Sequence, residues 1–251
     1  MIYLPYYEDY EKLTTFVEYT KTDVYWSGEN NVHWNQTKEF SLYFRPLAYD
    51  IFGNVVEYQS PGCTTIAAGQ LMRYYEHPSY LPWHSMPLEG SSDETCRFLY
   101  ELASVSNPIY NDDGSTAISM ENMANTMKKY GYEATFVNKF DMNAVSGSCI
   151  IHSAYLRDGK VREHAWTLTG SKTYVSERFL EVWTFPSAKD FRCVDRVSIT
   201  GYPEFSPVMH YVNWGWGGSG NGWYTNIERI APPNTQFEAM RGMIINISPR
   251  K

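Results

Sequence analysis

The sequence offers no net positive charge to a nucleic acid. Lys and Arg number 21 against 28 Asp and Glu, a formal net charge of −7, and no stretch gathers the basic side chains into a stripe that could follow phosphates. It also lacks any run of about 20 apolar residues, so no membrane-spanning helix is expected. The four cysteines, Cys63, Cys96, Cys149 and Cys193, form no C-x-x-C, which argues against a zinc site or a redox pair. A chain of this length needs no disulfide staples, so buried thiols are the plain expectation. No H-E-x-x-H and no G-x-S-x-G occurs, which removes the familiar zinc-peptidase and serine-hydrolase signatures. Internal repeats, low-complexity tracts and Gly/Ser linkers are missing too. The start, Met1 to Pro5 running into Glu8 and Asp9, has neither a basic segment nor an apolar stretch. The expectation is a cytosolic chain as written, or the mature part of a secreted precursor.

What is there is an ordinary globular mixture with an unusual aromatic share. Of 251 residues 43% are hydrophobic and 16% aromatic, with 21 Tyr, 12 Phe and 8 Trp; such side chains fill thick cores and line concave sites. Residues 1–60 read as mostly irregular, with short extended pieces and turn signals at 27–31 and 52–54. The clearest helix follows the breaker cluster Ser60-Pro61-Gly62: apolar Ile66, Ala67, Leu71, Met72, Tyr74 and Tyr75 fall at helical spacing, and Pro78 ends the run. Residues 94–105 and 118–130 predict two more helices, the second closed by Gly131. From 133 on the pattern turns to strands, at 133–137, 149–156, 164–170, 179–184, 208–214, 222–227 and 243–247, with turns at 157–160 and 217–221. Helices first and strands later predict an α+β protein: one domain over 1–251, a mainly helical half at 1–132 and a mainly β half at 133–251, with the site in the cleft between.

Several motifs tempt and fail. Gly215-Trp216-Gly217-Gly218-Ser219-Gly220 matches G-x-G-x-x-G, but a strand pattern follows it where a dinucleotide site needs a helix, so it reads as a hairpin turn. Asp112-Asp113-Gly114 is a fragment of a calcium loop without its closing Glu, and reads as a turn. No metal site is expected. Cys63 stands apart, because a helix N-terminus carries partial positive charge and pushes a thiol toward thiolate. From local physics alone a reactive thiol and a buried inert one are equally good readings. A thiol nucleophile needs an imidazole, and His164 and His210 both lie on predicted strands; alternation puts His210 on the face opposite Asn213.

At this point the residues carry a resemblance. The block from Gly62 and Cys63 through Gln70 to Pro78 resembles the nucleophile helix of streptopain-like cysteine peptidases, bacterial members of the papain-like group. Trp34-Asn35-Gln36, His164-Ala165-Trp166 and Val212-Asn213-Trp214-Gly215-Trp216-Gly217-Gly218 resemble three further blocks of that family, in order, and Gly114-Ser115 resembles a family G-S pair. Together they span most of the chain.

The resemblance implies a papain-like α+β fold and a thiol endopeptidase acting through a thioester, with no cofactor and with protein or peptide substrates. It implies Cys63 as nucleophile, His164 as general base and acid, and the Asn213 side-chain oxygen as acceptor from the imidazole. Trp214 would cover that bond, Gln36 would donate into the oxyanion hole, and Gly114, Ser115 and Glu163 would touch substrate. Glu163 replaces the family's usual Gly and is expected, by a small margin, to point into the cleft. The segment between Cys63 and His164 is shorter than in streptopain. The family's signal peptide and inhibitory pro-region are not in this sequence, so the expected product is a mature, secreted or cell-surface bacterial enzyme. An acyl transferase using the same thioester and a silent peptide-binding pseudo-peptidase are the alternatives.

Overall fold

A computed structural model of the chain describes residues 12–26, 28–187, 190–198, 204–205, 207–225, 227, 230–232 and 234–250, with side chains described over 28–174 and, from 207 on, wherever the backbone is. The chain resolves into two compact units. The larger comprises 25–171 and 209–251, and the smaller 1–24 and 172–208.

In chain order the elements are β1 (Lys12–Trp26), β2 (Pro46–Tyr49), β3 (Val55–Tyr58), α1 (Cys63–Tyr75), α2 (Asp93–Ser104), β4 (Ile109–Tyr110), β5 (Thr116–Ala117), α3 (Met120–Lys129), β6 (Tyr132–Val137), β7 (Ser148–Arg157), β8 (Lys160–Ser187), β9 (Asp190–Ser198), β10 (Glu204–Phe205), β11 (Met209–Asn213), β12 (Gly222–Tyr224) and β13 (Gln236–Pro249). α2 and α3 start where side chains cap them. Ser92 accepts from the Thr95 N–H at 3.0 Å, and Ser119 from the Asn122 N–H at 3.1 Å. Acidic Asp93, Glu94 and Glu121 sit in the first turns, and Lys128 and Lys129 in the last turn of α3, each sign complementing the helix dipole. Gly131 follows α3 at φ +85°, as its predicted closing role requires.

α1 is buried at every position from Thr64 to Met72, so it forms the axis of the larger unit rather than a surface helix. Small residues make this possible. A Cβ on Gly69 would come within 2.8 Å of Leu99 Cδ2 and 3.4 Å of the Trp34 ring, so α2 and Trp34 close directly on the α1 backbone.

The sheet of the larger unit runs in the order β12-β11-β8-β7-β13-β6. β7 and β8 are antiparallel, with Tyr155 opposite Arg162 and Ser153 opposite His164. They are joined by Asp158 and Gly159, both at positive φ, as a tight Asp-Gly hairpin turn demands. Period-two alternation sorts the sheet residues. Ile150, Ala165, Ile244 and Ile247 join the core with α1 and α3. Cys149, Ile151, Trp166, Leu168, Met243 and Ile245 join a second core with Val212 and Trp214. Gly215 to Gly220 is the loop of the β11–β12 hairpin, as the failed nucleotide motif suggested.

The smaller unit differs from expectation. Residues 12–26, read as largely irregular, form the 15-residue strand β1, which pairs with β8. The β-branched and aromatic content of Thr14, Thr15, Phe16, Val17, Tyr19 and Thr20 was the available signal. β9 and β10 also pair with the distal part of β8. The predicted strand at 179–184 lies inside β8.

Gly62 is the most constrained turn position. It caps α1 at φ 84°, ψ 148°, and a Cβ there would overlap the Thr116 carbonyl oxygen. Gly62→Ala is expected to lower stability by at least about 2 kcal/mol, from backbone strain plus overlap with a backbone atom. A thermal melt followed by circular dichroism checks this; an unchanged midpoint would show that the α1–β5 junction has slack.

Candidate active site

Three segments of the larger unit build the site: the start of α1, the middle of the β7–β8 ladder, and the stretch 213–216 at the end of β11. Cys63 is the first residue of α1 and is half-buried, whereas Cys96 and Cys149 are buried; all three are free thiols. The Cys63 side chain packs at the edge of the core that contains Ala165. The Ala165 and Thr64 amides favour its thiolate, but burial outweighs them and raises the thiol above its ordinary value of 9.0. Of the two equally good readings of Cys63 from local physics, burial favours the neutral thiol in this resting structure. Removal of water from the sulfur costs more than the local dipoles return.

His164 is 4% exposed. Its Nε2 lies 2.7 Å from the Trp214 carbonyl oxygen. A carbonyl can only accept, so Nε2 carries the proton and Nδ1 is left as the basic nitrogen. Burial pulls the imidazole down to about 4, against the opposing pull of the Trp214 carbonyl. At neutral pH the resting pair is thus a neutral thiol and a neutral imidazole. No hydrogen bond joins the two among the described residues; such contacts commonly tighten only with substrate in place. Tyr155 stands at 6.5 Å, edge-on to the imidazole, and Trp216 at 5.2 Å, tilted by 38°.

Asn213 does not hold the imidazole. Its Oδ1 accepts from the Gly215 N–H at 3.0 Å and the Gln70 Nε2 at 3.2 Å. Its Nδ2 donates to the carbonyls of Asn30 at 3.0 Å and Val32 at 2.8 Å. Gln70 Nε2 also donates to the carbonyls of Val32 and Trp34. The expected side-chain acceptor is replaced by the backbone of the next residue, because both polar atoms of the Asn213 side chain are taken by this amide network.

The aromatic cover is likewise shifted by two residues. Trp214 is fully buried against Trp166 at 5.0 Å and Tyr224 at 6.0 Å, while Trp216 sits over the imidazole. Trp214 is fixed by its indole N–H on the Gly220 carbonyl and by its backbone N–H on Asn221 Oδ1.

The segment 30–36 crosses beside these elements. The Trp34 indole donates to the Pro87 carbonyl at 2.8 Å, and the Gly217 N–H to the Trp34 carbonyl at 3.4 Å. Gln36 follows, half-buried, and its amide has no hydrogen-bond partner among the described residues. Gly114 and Ser115 lie in the β4–β5 turn, where Ser115 donates to Asp113 Oδ1 at 2.6 Å and the Gly114 carbonyl accepts from the Ser60 N–H at 2.8 Å. The next residue, Thr116, abuts Gly62.

Glu163 is on the far side of β8. Its carboxylate lies 3.5 Å from His152 Nε2 and 3.4 Å from Arg241 Nε, and its partner across the ladder is Ala154. Strict alternation holds here, so the expectation that Glu163 enters the cleft is corrected. Gln70, Tyr155 and Trp216 were not assigned to the site from sequence. Only Gln70 carried a signal, as a polar residue amid Ala67, Ala68, Gly69, Leu71 and Met72.

No protein-family model matches the chain, and no curated protein matches it. Solved structures do, and two of them show the extent of the match. Active wild-type interpain A cysteine protease of Prevotella intermedia is 14% identical, with a TM-score of 0.57 over 87% of this chain and 93% of that one. A fragment of Prevotella intermedia prointerpain A is also 14% identical, with a TM-score of 0.52 over 90% and 73%. The chain has a papain-like α+β fold. Within that fold, the geometry above gathers Cys63, Ala165, His164, Trp214 and Trp216, and it moves Glu163 out.

Two outcomes are expected. Asn213→Ala strands buried carbonyls and amides and should cost about 2–4 kcal/mol in urea unfolding; a stable fold with lost activity would instead restore a direct role on the imidazole. In the folded protein, iodoacetamide should alkylate Cys63 ahead of buried Cys96 and Cys149, with a rate still climbing at pH 9. A rate already level below pH 6 would mean a thiolate–imidazolium pair at rest.

Proposed function

We propose that the chain is a cysteine endopeptidase. The observation that carries the reading is a half-buried cysteine at a helix N-terminus whose thiol meets the backbone of Ala165, the residue that follows a buried histidine whose Nε2–H is tied to the Trp214 carbonyl, leaving Nδ1 as the base. In the proposed reaction His164 Nδ1 takes the Cys63 proton as the sulfur attacks a peptide carbonyl carbon. The tetrahedral oxyanion is met by the Gln36 amide and the Cys63 N–H. The imidazolium returns its proton to the leaving amine, a thioester remains, and water activated by Nδ1 hydrolyses it. Trp216 shields the His164–Trp214 bond from solvent, which strengthens it. Charge separation is deferred until substrate arrives, in keeping with the neutral resting pair. Protein or peptide substrates follow from this chemistry. The mature form of a secreted or cell-surface bacterial zymogen is the form we favour, with support from the bacterial source and pro-form of the structural neighbour.

The test is digestion of a peptide library by the purified chain. Cleavage is expected, absent in Cys63→Ala and reduced roughly 10²–10³-fold in kcat by Gln36→Ala with an unchanged fold. No cleavage of any peptide, or cleavage that persists in Cys63→Ala, would overturn the reading.

A further inference from the structure

The β7–β8 hairpin extends past His164 toward its turn, and register fixes which side chains share the imidazole's face. Ser153 opposes His164, Tyr155 opposes Arg162, and Arg157 opposes Lys160. With a period of two, His164, Arg162, Lys160, Tyr155 and Arg157 all project to one side. The face therefore passes from the catalytic imidazole through a tyrosine into three cations, in a chain whose net charge is −7. Glu163, which could have neutralised them, faces the other way, toward His152 and Arg241.

The local acids leave these cations available. Arg162 is exposed and makes no ion pair within 4 Å among the described residues. Arg157 reaches Asp158 only at 4.0 Å, with both groups more than half exposed. Asp113, in the β4–β5 turn near Cys63, is held low first by its hydrogen bonds from Ser115, and the charge of Arg162 adds to that. The Tyr155 phenol is raised by burial, pulled back by Arg157 and Arg162, and raised again by Cys63. The charge of Arg162 thus reaches Tyr155 on the β7–β8 ladder and Asp113 in the β4–β5 turn.

We infer that Arg162, backed by Arg157 and Lys160, forms a subsite for an acidic side chain, Asp or Glu, of the peptide substrate. Arg162 lies two residues from His164, about 7 Å along the strand. The acidic residue therefore falls within about two positions of the scissile bond. A guanidinium presents a planar fork to a carboxylate, which gives the contact direction as well as charge. The inference rests on the peptidase reading for its substrate, and it specifies which peptides that site takes.

Binding separates the two questions. The full chain carrying Cys63→Ala is titrated with fluorescein-labelled peptide pairs that differ by Glu or Gln at each of three positions on either side of a central bond. Anisotropy at 50 and 300 mM salt reads the affinity. At one position Glu is expected to bind about five- to tenfold tighter than Gln, an advantage that shrinks at the higher salt and falls below about twofold when Arg162→Gln is added. Arg250→Gln, which removes a cation paired with Glu133 elsewhere on the surface, is expected to leave the Glu advantage intact. Equal binding of Glu and Gln at every position, an advantage that survives Arg162→Gln, or no measurable binding of any peptide overturns the subsite. Failure of the peptidase reading looks different: the Glu advantage holds in Cys63→Ala while the unmodified chain cleaves none of the peptides.

Discussion

Asn213 is fully buried and makes four hydrogen bonds, to Gly215, Gln70, Asn30 and Val32. A buried amide left unpaired costs about 1–3 kcal/mol per group, so these bonds are obligatory rather than decorative. Much of the site hangs on them. The Gly215 contact sets the backbone that aims the Trp214 carbonyl. The Gln70 contact ties that backbone to α1. The two donated bonds, with those of Gln70, fix the path of residues 30–34 and so the place from which Gln36 departs.

Strand alternation does the second part of the work. On β8, Ala165 faces the core around α1, where Cys63 packs, and His164 faces the other way, toward Trp214 and Trp216. Its neighbour Glu163 is left on the outer surface with Arg241. Each side chain is assigned by a period of two and by which core claims the next residue. Burial then sets the electrostatics. It raises the thiol and lowers the imidazole to about 4, so burial favours two neutral groups over a buried ion pair, which would cost more to desolvate.

The sequence made the three helices, most strands of the larger unit and the β11–β12 hairpin legible, because each had strong periodicity or unambiguous turn residues. It also brought Cys63, His164 and the 213–216 stretch into one candidate set. Three things stayed hidden for physical reasons. A backbone carbonyl has no signature in a sequence, so Trp214 was read through its indole and Asn213 through its amide. The side of a strand on which Glu163 falls depends on register, which only the pairing with β7 fixes. β1 escaped because Lys, Glu and Asp interrupt its β-forming residues, and pairing with β8 supports it as a strand.

The Trp214 carbonyl has a consequence for how this protein tolerates change. In a triad with a side-chain acceptor, one codon change deletes the group that orients the imidazole. Here the acceptor belongs to the main chain and is present whatever residue occupies position 214. Only a shift of the loop itself can remove it, and the loop is held by contacts at both ends. Drift in the coding sequence can therefore reshape the indole, the neighbouring subsites and the exposed strip of the hairpin while the orientation of His164 stays inherited. Such insulation separates what the site recognises from how its imidazole is aimed.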